Sequence, residues 1–394
     1  MTNKNVPKLR FPEFTEKWQP VKIKDIFSER TEKNCGELDL LSVTLNNGVI
    51  PRSEIDGKDN SSNNKNNYKL VKPQDIVYNS MRMWQGANGV SNLEGIVSPA
   101  YTVLIPRKDV CSDFYGYYFK IDRMLNEFKK YSQGLTSDTW NLKYHLISQI
   151  IIKKTSYKEQ EKIVSFLRTI DQKINLLINQ KDEMIEFKHY LLQNLFPQNG
   201  ERVPKLRFIE EIYYKRQNVS DFLIESEIDA IDNINKRLTV KLNLKGVYKR
   251  EIKPNEKEGA TKQYKRKAGQ FIYGKQNLFK GAFGIIPSEL DGFLSSKDLP
   301  SFDFKDNINS KWFYYYFSRS NFYKHLENLS NGTGSKRISP EEFLKIQINV
   351  PQSIEEQEKI ASFLSFVDKK IDLLDQEIEL VEEYKKGLLQ KMFI

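Results

Sequence analysis

The chain is written twice. Sliding it against itself by 197 residues, half of its 394, lays VPKLRF at 203–208 on VPKLRF at 6–11, and EEQEKIASFL at 355–364 on KEQEKIVSFL at 158–167. Over 158–196 against 355–393, 19 of 39 positions are identical, which unrelated segments do not reach by chance. A fixed offset of this size marks a repeated structural unit, so any fold must build one architecture twice.

Between these anchors the halves share only a skeleton. Leu41, Val43 and Leu45 fall on Leu238, Val240 and Leu242, Gly86-Ala87 on Gly281-Ala282 after a two-residue slip, Gly95 on Gly292, and Gly134 on Gly332 after a slip of one. Pro197 and Gly200 interrupt the chain between the halves. The expected organisation is a first body at 1–155, a long helix at 156–196, a linker at 197–202, a second body at 203–353 and a second long helix at 354–394.

In the matched segments, apolar residues recur in alternating steps of three and four: Ile163, Leu167, Ile170, Ile174 and Leu177 in one, Ile360, Leu364, Val367, Ile371 and Leu374 in the other. That spacing is the seam of a coiled coil, and two such seams in one chain most readily bury each other. Lys181, Lys188 and Lys385 interrupt the seams, as residues that fix register do. At 1.5 Å per residue each helix is a rod of roughly 57 Å.

The bodies read as mixed α and β. Alternation at 101–105 and at Leu344, Ile346, Ile348 and Val350 predicts strands, and the aromatic-rich stretches 113–128 and 311–329 predict helices whose rings form core. The chain carries 62 Lys and Arg against 52 Asp and Glu, a net +10 suited to a polyanionic partner. The two matched segments together are acidic, so the excess lies in the bodies. Residues 236–267 alone hold twelve Lys and Arg against three Glu, a run expected to meet phosphates.

Two pairs of polar loops stand out. YNSMRMWQGANG presents Ser80, Arg82, Trp84 and Gln85, where YGKQNLFKGAFG presents Lys275, Gln276, Asn277 and Lys280. QGLTSDTWN offers Thr136, Ser137, Asp138 and Asn141, where NGTGSKRIS offers Ser335, Lys336 and Arg337. Arg and Lys suit guanine edges, Asn and Gln suit adenine, and hydroxyls suit bases or phosphates. Different side chains at matched places would read different bases.

Catalytic signatures are missing. There is no Asn-Pro-Pro-aromatic motif and no phosphate-binding loop, since GTGSK has the wrong spacing. His145, His189 and His325 are scattered, and Cys35 and Cys111 can build neither a zinc site nor a disulfide framework. No apolar run is long enough to span a membrane and no secretory leader opens the chain, so a cytoplasmic protein without a metal is expected. From the residues alone, two other readings stay open: a DNA methyltransferase or nuclease with an unrecognised active site, and a coiled-coil scaffold that does not read DNA.

The whole pattern resembles the specificity subunit of type I restriction-modification enzymes: VPKLRF opening each half, a variable body, E-Q-E-K-I, then a helix ending in LLQNLF or LLQKMF. The resemblance implies an α+β protein of two tandem target-recognition domains. A long helix would follow each, the two pairing as an antiparallel coiled coil with pseudo-twofold symmetry. It implies a non-catalytic subunit that reads a bipartite, asymmetric double-stranded DNA target. Two methyltransferase subunits would carry S-adenosylmethionine, two motor-nuclease subunits would use ATP and Mg, and no cofactor would be bound by this chain.

Overall fold

The computed structural model describes residues 5–45, 47–57, 61–62, 64–198, 201–252, 254, 256–259, 261–329 and 336–394. The chain divides into two units, residues 1–178 with 376–394, and residues 179–375. Each unit thus holds one body, the first part of the long helix that follows it, and the last part of the other long helix.

The two bodies share one plan. In the first unit an antiparallel sheet runs Phe27–Glu29, Tyr101–Pro106, Ile76–Asn79, Asn88–Val90; in the second the order Leu223–Ser226, Ser301–Phe304, Phe271–Tyr273, Phe283–Ile285 repeats it. Successive side chains of a strand face opposite sides. Ile76, Tyr78 and Leu104 therefore enter the main core, while Val77 and Val103 pack on the other face with Leu41, Val43, Val71 and Val97. In the second unit Phe271, Tyr273 and Phe302 face the main core, and Ile272 joins Leu238, Val247 and Ile286. Burial on both faces explains why IVY and FIY read as unbroken apolar runs.

A hairpin, Leu41–Thr44 with Gly48–Pro51 and Leu238–Lys241 with Gly246–Lys249, covers that second face in each unit. The ends of each body clasp as two antiparallel strands, Gln19–Lys22 with Ile151–Lys154 and Tyr214–Asn218 with Gln347–Pro351. The predicted strand at 101–105 forms. The one expected from Leu344 forms with Ile348 and Val350 but starts late: Ser339, Pro340 and Glu342 make a capping box that starts the helix Pro340–Leu344, and the strand opens only at Gln347. The aromatic stretches are core, with Phe114, Tyr115, Tyr118, Trp312, Phe313 and Phe317 all buried.

The long helices are Tyr157–Asn194 and Ile354–Met392. Their repeated Glu-Gln pair ties each helix start to its body. Gln160 accepts the Cys111 N–H at 2.9 Å and donates to the Thr155 carbonyl at 2.8 Å; Gln357 accepts the Asn309 N–H at 2.8 Å and donates to the Pro351 carbonyl at 3.3 Å. Cys111 and Asn309 are the N-caps of the aromatic helices Ser112–Tyr118 and Ser310–Ser318. Buried Glu159 accepts two bonds from Arg10, at 2.7 and 2.8 Å, and one from the Trp18 indole, while buried Glu356 accepts the Phe208 N–H at 2.9 Å. The KLRF and EQ motifs recur together because they hold each other.

The helix ends are equally committed. In the first unit Leu388, Met392 and Phe393 lie in the core with Trp18, Phe114 and Tyr118, and the Leu9 N–H donates to the Lys391 carbonyl at 2.9 Å. In the second, Leu191, Leu195 and Phe196 join Trp312 and Tyr316, and the Leu206 N–H donates to the Asn194 carbonyl at 2.8 Å. The proposed seam is buried at Ile163, Leu167, Ile170, Ile174 and Leu177 and at Ile360, Leu364, Val367 and Leu374, with Ile371 half-buried. Ile163, Leu167, Ile170 and Ile174 pack into the first body's core, and Ile360, Leu364 and Val367 into the second's, so much of the seam is spent on the bodies. The seam lysines meet carboxylates of the facing long helix: Lys181 with Asp375 and Lys188 with Asp368, each at 2.5 Å, and Lys385 with Asp171.

Candidate nucleic-acid interface

After its central strand each body makes one 3₁₀ turn, Met83–Gln85 or Leu278–Lys280, anchored by buried Met83 or Leu278. Gly86 (φ 90°) and Gly281 (φ 73°) end the turns in the left-handed region, which is why these glycines align in the two halves. At Gly281 a Cβ would also come within 3.1 Å of the Leu244 nitrogen.

A second loop is fastened beside the first in the same way in both units. The Tyr78 hydroxyl donates to the Leu142 carbonyl at 2.9 Å, and the Leu142 N–H donates to the Ser80 carbonyl at 2.8 Å. The Tyr273 hydroxyl donates to the Ile338 carbonyl at 3.1 Å, and the Ile338 N–H donates to the Lys275 carbonyl at 2.9 Å. Burial raises both phenol pKa values, Tyr78 and Tyr273, so these bonds persist across the physiological range. Loops some sixty residues apart thus become neighbours in each body.

The side chains on this scaffold differ in availability. In the first unit Arg82, Gln85, Thr136, Ser137 and Asp138 are exposed. Trp84 is half-buried, donates its indole N–H to the Met81 carbonyl at 3.1 Å, and packs edge to face on Trp140 at 5.2 Å. Asn141 is half-buried with an unpartnered Oδ1, its backbone bridging Gln133. Ser80 is buried, its hydroxyl 3.0 Å from that of Thr102, so its side chain is turned away from the surface.

In the second unit Gln276 and Lys280 are exposed, and Lys275 and Asn277 half-buried. With its amide turned so that the oxygen faces Arg337, Gln276 accepts from the guanidinium at 2.6 and 3.2 Å and joins the two loops directly. Arg337 also lies 3.6 Å from Asp298, and Lys336 pairs with Glu327 at 2.9 Å. Ser335 lies outside the described residues.

The basic run 236–267 divides in two. Arg237 is buried against Asp232, which raises its pKa, and Arg266 is buried among the Ser295 hydroxyl, the Ser301 hydroxyl and the Ser226 carbonyl at 2.7–3.0 Å. Desolvation lowers Arg266 to about 10, which leaves it charged but committed to the fold. Lys241, Lys245, Lys249, Lys265 and Lys267 are exposed. The hairpin turn brings this charge to the loops: the Asn243 and Leu244 N–H groups donate to the Lys280 and Gly281 carbonyls, both at 2.9 Å. Neither the Asn243–Lys245 turn nor Trp140 is singled out by the repeat comparison, because the hairpin is far away in sequence and Trp140 has no counterpart in the other half. Among the described residues no group of side chains could hold a metal ion, and no helix is long and apolar enough to cross a membrane.

Residues 15–186 and 229–383 each match the family described as the type I restriction modification DNA specificity domain. The chain belongs to the type I restriction-modification specificity subunits. Among curated relatives it is 35% identical over 68 residues to the type I restriction enzyme MjaVIII specificity subunit of Methanocaldococcus jannaschii, 17% of this chain and 16% of that one. It is 30% identical over 90 residues to the MjaIX specificity subunit of the same organism, 23% of this chain and 21% of that one. The matched stretches thus span about a fifth of those relatives. The fold matches the crystal structure of a type I restriction-modification S subunit from M. genitalium over 99% of both chains, with a TM-score of 0.58 and 13% identity. It also matches a structure from work on complex assembly and conformational transition of the type I R-M system over 95% of this chain and 97% of that one, at 0.57 and 11%. Specificity subunits of this family are not themselves catalysts.

Proposed function

We propose that this subunit reads a bipartite, asymmetric double-stranded DNA target, one half with the fastened loops of each body, and seats the subunits that act on it. The observation that carries this reading is the duplicated Tyr-to-loop fastening with unlike side chains upon it. Arg82, Gln85 and Thr136–Asp138 occupy the surface in one unit, and Gln276, Lys280, Lys336 and Arg337 in the other. Lys241, Lys245 and Lys280 add phosphate contacts on the second body.

The partners are two methyltransferase subunits carrying S-adenosylmethionine and two motor-nuclease subunits using ATP and Mg, in the cytoplasm, with no cofactor on this chain. Exposed apolar residues recur on the long helices at the repeat offset, Leu176 with Leu373 and Phe187 with Tyr384, which supports docking of like subunits on each unit. In a host carrying this chain and its methyltransferase, methylated adenines are expected in one two-part motif with unlike halves and a fixed gap. A continuous motif, or methylation by the purified chain alone with S-adenosylmethionine and DNA, contradicts the reading.

A further inference from the structure

Each unit contains one closed polar triangle that the reading of DNA does not use. In the first, the Tyr117 hydroxyl donates to Asp171 at 2.6 Å, Asp171 pairs with Lys385, and the Lys385 ammonium sits 5.4 Å from the Tyr117 ring centroid. In the second, the Tyr315 hydroxyl donates to Asp368 at 2.7 Å, Asp368 pairs with Lys188 at 2.5 Å, and the Lys188 ammonium sits 5.9 Å from the Tyr315 ring. The three corners come from three elements: an aromatic helix of the body, the long helix leaving that body, and the end of the other long helix. Asp171 and Asp368 are half-buried, and burial raises both phenol pKa values, which keeps the donors protonated.

An apolar seam of three- and four-residue steps is indifferent to a slip of one heptad, because like residues meet again. The triangles are not indifferent. The residue numbers of the pairs Asp171–Lys385, Lys188–Asp368 and Lys181–Asp375 all sum to 556, a single antiparallel register. Slipped by seven residues one way, Lys385 would face Ile178 and Asp171 would face Met392; slipped the other way, they would face Val164 and Ile378. In the second unit the same slips leave one partner satisfied and one stranded: Asp368 meets Leu195 while Lys188 meets Asp375, or Lys188 meets Ala361 while Asp368 meets Lys181, so the first unit discriminates more strongly. Each slip strands half-buried charge against apolar side chains, a cost the correct register avoids.

We infer that the two Tyr-Asp-Lys triangles are positioning devices that lock helix register and body seating, and so set the gap between half-sites that the subunit accepts. This rests on the bipartite reading above. The test uses the full chain assembled with its methyltransferase, selecting from randomised DNA duplexes, followed by a series of duplexes with the selected halves at varied gaps. Asp171→Asn with Asp368→Asn is expected to keep both half-sites but to lower discrimination against gaps one to three base pairs off by about tenfold, or ~1.4 kcal/mol. Exchanging the charges, Asp171→Lys with Lys385→Asp in an otherwise native chain, is expected to retain discrimination. Lys188→Met with Lys385→Met gives an independent route should the aspartate variants not fold, with the same loss expected. A folded, assembled double-Asn or double-Met variant with unchanged gap preference overturns the inference while leaving the bipartite reading intact. A native chain that selects no two-part motif defeats that reading first.

Discussion

Glu159 and Glu356 stand at the same place in the two repeats, yet only Glu159 is gripped by a guanidinium, that of Arg10. Glu159→Gln leaves the half-buried Arg10 without its counter-charge, and a loss of about 3 kcal/mol in the stability of the first unit is expected by urea unfolding. Burial raises the Glu356 carboxyl above the ordinary glutamate range, partly offset by the Phe208 and Ile209 amides. Its folded state therefore binds the proton more tightly than the unfolded chain, so stability falls as pH rises from the unfolded glutamate range through the raised folded value. Relative to Glu356→Gln, the native second unit is expected to show no penalty at the acid end and a full one at neutral pH, read from urea midpoints across pH. The basic run makes the same point about legibility. Charge counts foretell a polyanion partner but cannot separate Arg237 and Arg266, consumed by the fold, from exposed Lys241 and Lys245. Truncating Lys241, Lys245 and Lys280 to Ala is expected to flatten the salt dependence of DNA binding by a log-log slope of about 0.9 per lost phosphate contact. Arg266→Met should instead lower the unfolding midpoint.

At the level of elements, the long helices were the most legible part of the sequence, because a three-four period over nearly forty residues admits little else. What the period could not say is what each apolar residue faces. Ile163, Leu167 and Ile170 satisfy the seam pattern and yet pack into a body core, since a helix leaving a body must first cover it. The strand expected from Leu344 forms with Ile348 and Val350 but starts only at Gln347, for a local reason: Ser-Pro-Glu-Glu supplies a cap, a preset φ and an acidic first turn, and these outweigh alternation at its start. The ends of the helices carry a sharper prediction. Phe393 is buried in the first unit's core and Phe196 in the second's. Phe393→Ala is expected to cost about 3–5 kcal/mol, and Phe196→Ala the same. With two units the unfolding need not be two-state, so each loss should appear in one transition, resolved by hydrogen exchange of the affected core.

For the whole molecule, repetition builds one fold twice, and the proposed function gives each copy a different half of the target to read. The repeat revealed the scaffold because scaffold residues, Gln160 with Gln357 at the full offset and Tyr78 with Tyr273 after the two-residue slip, meet corresponding backbone partners twice. The proposed reading residues are legible only as mismatches between halves, and hydrogen bonds between loops distant in sequence bring them together. If the helices act as a ruler, four residues inserted into a long helix add roughly 6 Å and should lengthen the preferred gap by one or two base pairs, read from duplexes of varied spacing. The most direct measurement replaces residues 203–352 with the corresponding body of another specificity subunit and maps methylated adenines in a host carrying the methyltransferase. One half of the motif should change while the other half and the gap stay as they were. A motif that is unchanged, or that changes in both halves at once, contradicts the account.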